Sequence, residues 1–360
     1  MPKTYEPIAT HYTYMKIKTI ATTALLALAA TTARAIPYSA EVLKAWGVDY
    51  VCNSADECSS ANGEEMLPFG NMDHWYTRNI KESKLLGGKT VTLYEVAPDG
   101  STNQTAPYSN MGGSPWATSN VFAKIAGVVK TNVSVYKEAR AGHGNCAKLY
   151  SHLVSCKVLG MVDVEVFAAG SLFLGTSEEP VTGASNPYGK INFGIPFTKR
   201  PKAVVFDYKT LIVGTPTRIK KGVGGKSTVQ GMDKAEVVCF LQKRWEEPDG
   251  SIKAVRVGTM VKRFNKTVSN WVNNASFTIN YGDITKESYY DKASMGLGGS
   301  GGVQRCAKNS KGKMVNVTET GWDGSATPTH IVLQFVSSHG GAYVGTVGNT
   351  LWVDNVRLAY

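Results

Sequence analysis

Met161-Val162-Asp163-Val164-Glu165-Val166-Phe167 sets a valine at every second position, with carboxylates between them. A period of two belongs to a strand with one wet face, the pattern of antiparallel sheets. Working outward, the same rhythm runs through Thr90-Val91-Thr92-Leu93-Tyr94-Glu95-Val96 and Ala254-Val255-Arg256-Val257-Gly258-Thr259-Met260-Val261. Further strands are expected at 202–209, 276–281, 330–337 and 350–360. Pro248-Asp249-Gly250 lies between two alternating runs and carries the residue types of a hairpin turn. There is no long amphipathic helix and no internal repeat. Many strands joined by Gly- and Pro-rich turns point to an all-β sandwich or barrel, mainly antiparallel, with long Gly-rich loops.

Composition agrees with this reading. The chain has 360 residues, 42% hydrophobic and 19% charged, with 37 Gly and 10% aromatics. Those values exclude a coiled coil, an acidic disordered tail and a collagen-like repeat. The formal charge is +11. Its short basic pairs (Lys199-Arg200, Lys220-Lys221, Lys243-Arg244) form no stripe for nucleic acid, so the charge chiefly aids solubility.

The N-terminus reads as a targeting segment. Met15-Lys16-Ile17-Lys18 precedes an apolar run from Ile20 to Ala30, and Ala33-Arg34-Ala35 follows it. A basic start, a short apolar run and a small-x-small site make a secretory signal, too short for a spanning helix. Residues 1–35 are therefore expected to be an upstream extension and signal peptide, with Met15 the true start. Residues 36–63 form an N-terminal segment or linker with one short helix near 39–46, and 64–360 form one large β domain. Cleavage after Ala35 leaves 35 basic and 27 acidic residues in an exported chain with no transmembrane segment. Such a product would reside in the periplasm, at the cell surface or outside the cell. Export permits disulfides among Cys52, Cys58, Cys146, Cys156, Cys239 and Cys306, whose pairing stays open. Cys239, inside an apolar run, reads instead as a small buried hydrophobe.

Several motifs imitate catalytic ones. Gly222–Thr228 resembles a phosphate loop, but Lys220 stands where that loop needs its first Gly. Gly298-Gly299-Ser300-Gly301-Gly302 matches the serine elbow of hydrolases, with Asp323 and His330 following in order. The elbow needs a strand before the Ser and a helix after it, which the flanking residues do not offer. Asp163 and Glu165 share one face of a strand and could act as acid and base on a glycosidic bond. The competing account makes them the solvent face of a half-buried strand. The His residues are scattered, and none forms a zinc pair.

Three segments together resemble the putative carbohydrate metabolism domain family, a group of exported proteins of gut anaerobes. They are Asn192–Pro201 with the strand Ala203–Lys209, Gly144–Leu149 with Ala169–Gly175, and Ser337–Gly345 running into Gly348–Val356. The resemblance spans roughly residues 65–360. It implies a jelly-roll β-sandwich similar to carbohydrate-binding modules, and it implies no established reaction.

The expected function is that of an exported, non-catalytic glycan-binding protein taking part in carbohydrate recognition or utilisation. Two alternatives stand beside it: a glycoside hydrolase or lyase using paired carboxylates, and a structural adhesin-like protein. Sugars offer C–H faces to aromatic rings, and Trp75, Trp116, Trp245, Trp271 and Trp322 sit beside loop-type residues. The first candidates are Trp271 and Trp322, with Asn273, Asn274 and Asp323 next to them to bond sugar hydroxyls. The partner is a polysaccharide or glycan, not nucleic acid. No cofactor is expected other than a structural calcium, for which Asp354, Asp73 and Asn71 are the candidate ligands. Such an ion needs six to eight oxygens, so backbone carbonyls would supply the rest. The competing reading has Asp354 bonded to loop backbone.

Overall fold

Among the described residues, alternation along the chain builds two large sheets packed face to face, with four smaller sheets of two or three strands, Thr90–Val96 and Val162–Ala168 among their strands. The structure is a computed structural model and describes residues 63–108, 113–158 and 162–360. The signal segment, the 36–62 stretch with its short helix, and Cys52 and Cys58 lie outside the described residues. Among those described, helix is confined to Lys292–Met295 and a 3-10 turn at Lys84–Leu86.

The first sheet runs Val268–Thr278, Ala203–Leu211, Thr350–Ala359, Asn145–Tyr150 and Val135–Ala139, with Glu64–Met66 paired to the Thr350–Ala359 strand. The second runs Ile191–Phe193, Ser171–Ser177, His330–Val336, Ala235–Glu246, Ile252–Phe264, Met314–Trp322 and Cys306–Lys308. Pairing is antiparallel throughout the first sheet; in the second, only the contact between Ile252–Phe264 and Met314–Trp322 is parallel. The expected turn at Pro248-Asp249-Gly250 joins the two longest strands, and the Gly250 N–H donates to the Glu247 carbonyl. Gly250 has φ 88°, which a side chain would strain.

The core lies between the sheets because each strand turns every second residue inward. Val204, Phe206, Leu351, Val353 and Leu149 come from the first sheet, and Leu172, Val237, Cys239, Leu241, Leu333 and Phe335 from the second. Phe206 and Phe335 meet edge to face across the interface, ring centres 5.1 Å apart. Cys239 is wholly buried, as its apolar run foretells, and Cys146, Cys156, Cys239 and Cys306 are all free and buried. None of these four is therefore joined to another.

Two expectations need correction. Trp75 and Trp116 are core residues at 2% and 1% exposure, not loop-borne rings. Each satisfies its indole N–H on a backbone carbonyl, Met72 for Trp75 and Pro68 for Trp116, which is what makes burial affordable.

Candidate functional site

The outer face of the first sheet carries the remaining alternate residues. Register sets Lys209 beside Trp352, Trp352 beside Lys148, and Lys148 beside Tyr136, in one row across four strands. Leu351 and Val353 fill the core, so Trp352 between them must face out. Trp352, Lys148 and Tyr136 of this row line a groove of about 690 Å³, together with Tyr150, Leu211 and Thr350.

Glu138 is the one carboxylate among the residues lining that groove. It accepts the Trp352 indole N–H at 2.7 Å and the Lys148 ammonium at 2.8 Å, with Lys209 at 3.9 Å. Burial pushes its carboxyl up, but the bonds from Lys148 and Trp352 outweigh this and hold it below the usual carboxylate range. The Lys209 ammonium lies 4.4 Å from the Trp352 ring centre and 5.5 Å from that of Trp271. Lys209 thus stands between two aromatic rings, one in the groove and one beside it.

Trp271 rests on Arg140, whose guanidinium lies 4.0 Å from the ring centre. Arg140 donates to Asp207 at 2.8 Å, to Asp354 at 2.5 Å and to Asn273 at 2.6 Å. Asp207 also accepts the Asn274 backbone N–H and the Asn355 amide. Asn274 itself has φ 56° and takes the Arg357 guanidinium on its side-chain oxygen. Burial raises the Asp207 carboxyl, but the Asn274, Asn355 and Arg140 donors outweigh it and set it low. At Asp354 burial wins over Arg140 and pushes the carboxyl up to about 6. Two carboxylates with separated affinities resemble an acid–base pair. Their side chains are only 5% and 0% exposed, however, so a glycosidic bond cannot reach them.

The candidate residues fall in two places. Trp271, Asn273, Asn274 and Asp354 gather around Arg140, while Trp322 and Asp323 lie on the second sheet. There Trp322 faces Arg256 at 5.5 Å, and Asp323 takes the N–H groups of Ser325 and Ala326 and the Ser325 hydroxyl. Asp323 therefore fastens its own turn. Asn273 is likewise engaged, by Arg140. Trp352, Glu138 and Lys209 were missed by the sequence reading, because Trp352 stands inside an apolar run; its even position in the alternation is the signal that finds it.

As placed, Asn71, Asp73 and Asp354 do not fit a calcium ion. Asp354 is bonded to a guanidinium and to the Asn355 N–H, and Asp73 takes the Asn145 N–H and the Asn71 amide. Among the described residues no three His, Cys, Asp or Glu side chains converge as metal ligands. Asp163 is 82% exposed and pairs loosely with Lys157, while Glu165 takes the Ser155 hydroxyl, so the two serve a hairpin surface. The Gly298–Gly302 run is a turn preceded by the Lys292–Met295 helix, and the Gly298 N–H donates to Glu319. It is no nucleophile elbow. No helix among the described residues is long and apolar enough to cross a membrane.

Fold and groove together define an all-β protein built on two large sheets, with an aromatic groove on one outer sheet face. The chain belongs to the putative carbohydrate metabolism domain family, whose model matches residues 89–291. Among solved structures it is similar to one described as a putative glycoside hydrolase from Bacteroides thetaiotaomicron, at 20% identity and TM-score 0.37, covering 64% of this chain and 58% of that one. A second, described in the same words and from Bacteroides vulgatus, is 18% identical with TM-score 0.38, covering 63% and 77%. A carbohydrate-binding module specific for non-crystalline cellulose is 10% identical with TM-score 0.22, covering 68% and 88%. The chain thus spans well under two thirds of the first of these structures. No curated protein matches it.

Proposed function

We propose that the protein binds a glycan in the groove on the outer face of the first sheet and does not cleave it. One observation carries this reading: Trp352 and Trp271 flank Lys209 on an open sheet face, and Glu138 alone supplies a carboxylate to the groove. An aromatic face takes the C–H side of a pyranose, while Lys148, Lys209 and Glu138 are placed for its hydroxyls. Hydrolysis by acid and base asks for two reachable carboxyls about 5–9 Å apart. Glu138 has no such partner lining the groove, and the lysines beside it keep it ionised rather than acidic. Membership of a carbohydrate metabolism family supports the choice of ligand class. In this proposal the protein works after export, once residues 1–35 are removed.

Affinity should be modest, since a shallow, solvent-rimmed groove removes little apolar area from water. The test incubates purified protein with a panel of soluble polysaccharides and follows both retardation in affinity gels and release of reducing ends. Retardation without release is expected. Release that disappears in Glu138→Gln would establish a hydrolase instead.

A further inference from the structure

The outer face of the second sheet holds a different chemistry. The alternation that buries Val237, Cys239 and Leu241 sends Val238, Phe240, Gln242 and Arg244 to the opposite side. There, Arg256 is matched by Glu319, and Arg263 by Glu236 and Asp291. Arg244 and Arg305 have no ion pair among the described residues.

Both guanidiniums converge on Phe193. Arg244 donates from Nη1 to the Phe193 carbonyl at 2.9 Å and from Nε to Gln242 at 2.8 Å, while its Nη2 is buried without an acceptor. Arg305, 7% exposed, lies 5.8 Å from the Phe193 ring and 4.8 Å from that of Phe240. Its two terminal nitrogens reach the Val303 carbonyl and Gln334 only at 3.5 Å, and its Nε is buried without a partner. Gly194, at φ 88°, keeps the space beside Arg244 open: a Cβ there would stand 3.0 Å from Nη2. An unmatched buried guanidinium is costly, whereas Arg256, buried on the same face, has its carboxylate in Glu319.

We propose that Arg244 and Arg305 together form a binding site for an oxyanion, a carboxylate or sulfate group, distinct from the groove on the first sheet. Two unused N–H donors, Arg244 Nη2 and Arg305 Nε, suit a planar or tetrahedral anion. The surroundings register the excess positive charge. Burial, against the pull of the Glu319 charge and with a smaller push from Arg305, draws the Arg244 guanidinium down to about 10. Burial and Arg244 draw His330 down to about 2, so that ring is neutral and adds no third cation. The anion has two conceivable sources, a free inorganic ion or an acidic sugar.

The experiment titrates the full chain with sodium sulfate, acetate, glucuronate and glucose at ionic strength matched with sodium chloride, reading melting temperature and heat of binding. A saturable rise with sulfate, acetate or glucuronate, and none with glucose, is expected; saturation separates binding from the general stabilising action of sulfate. Glucuronate binding more tightly than acetate assigns the site to an acidic sugar; equal binding assigns it to the free oxyanion. Arg305→Met should weaken the response by about tenfold or more, yet melt no lower than the parent without anion, because it removes an unmatched charge. Arg244→Gln, at a half-buried position, gives an independent reading of the same loss. No saturable response in the parent, or a full response in both variants, overturns the site.

Discussion

The Arg140 guanidinium lies parallel in purpose to a wedge under Trp271, 4.0 Å from its ring centre, while the same group holds two carboxylates from neighbouring strands. Trp271 belongs to the edge strand Val268–Thr278, most of whose residues are exposed. The ion cluster beneath it therefore supports the ring from the sheet side. Arg140→Met would leave Asp207 and Asp354 buried without their cation. The expected loss is about 3–5 kcal/mol, read by urea denaturation. A loss under about 1 kcal/mol would show that the cluster contributes no more than a surface pair.

A second cluster carries a pH dependence of known sign. Arg78 pairs with Glu95 and with Glu179, all three buried. Burial pushes the Glu95 carboxyl up to about 7, against the pull of Arg78. Its folded value thus exceeds its unfolded one, so its contribution is full below the unfolded pKa and is lost as pH rises through about 7. Glu95→Gln lacks that loss. The stability of the parent relative to Glu95→Gln should fall between pH 5 and pH 8, by an amount on the order of 3 kcal/mol. A difference that stays flat across this range contradicts the assignment.

Core contacts should rank the aromatics sharply. Phe335 is fully buried against Phe206 and Trp116, and Phe335→Ala should cost about 3–5 kcal/mol. Trp245, 40% exposed, bonds only Glu247 through its indole, and Trp245→Ala should stay within about 0.5 kcal/mol. Thermal or denaturant unfolding of the pair measures both, and comparable losses would place the core elsewhere.

Much of the fold was legible because a period of two survives wherever one sheet face is wet. The runs at 90–96, 202–209, 330–337 and 350–360 appear as strands Thr90–Val96, Ala203–Leu211, His330–Val336 and Thr350–Ala359. The aromatics were harder to sort. Trp75 and Trp116 stand beside polar residues in sequence, yet both are packed into the main core, Trp116 against Phe335. Trp352 stands among apolar residues, yet the pleat turns it outward. The Arg140 cluster joins residues 67 and 214 positions apart, a relation that no local spacing encodes. For the same reason Trp322 could not be told from Trp271 in advance: similar flanking residues place them on different sheets.

The central claim is that Trp352 floors a glycan site that binds without cleaving. Its most direct test is calorimetric titration of the parent and Trp352→Ala with a panel of soluble polysaccharides, with reducing ends assayed in the same samples. The account predicts that at least one polysaccharide binds the parent, that Trp352→Ala weakens it by about tenfold or more while remaining folded, and that no reducing ends appear. Equal binding by a folded Trp352→Ala, or turnover by the parent, would contradict it.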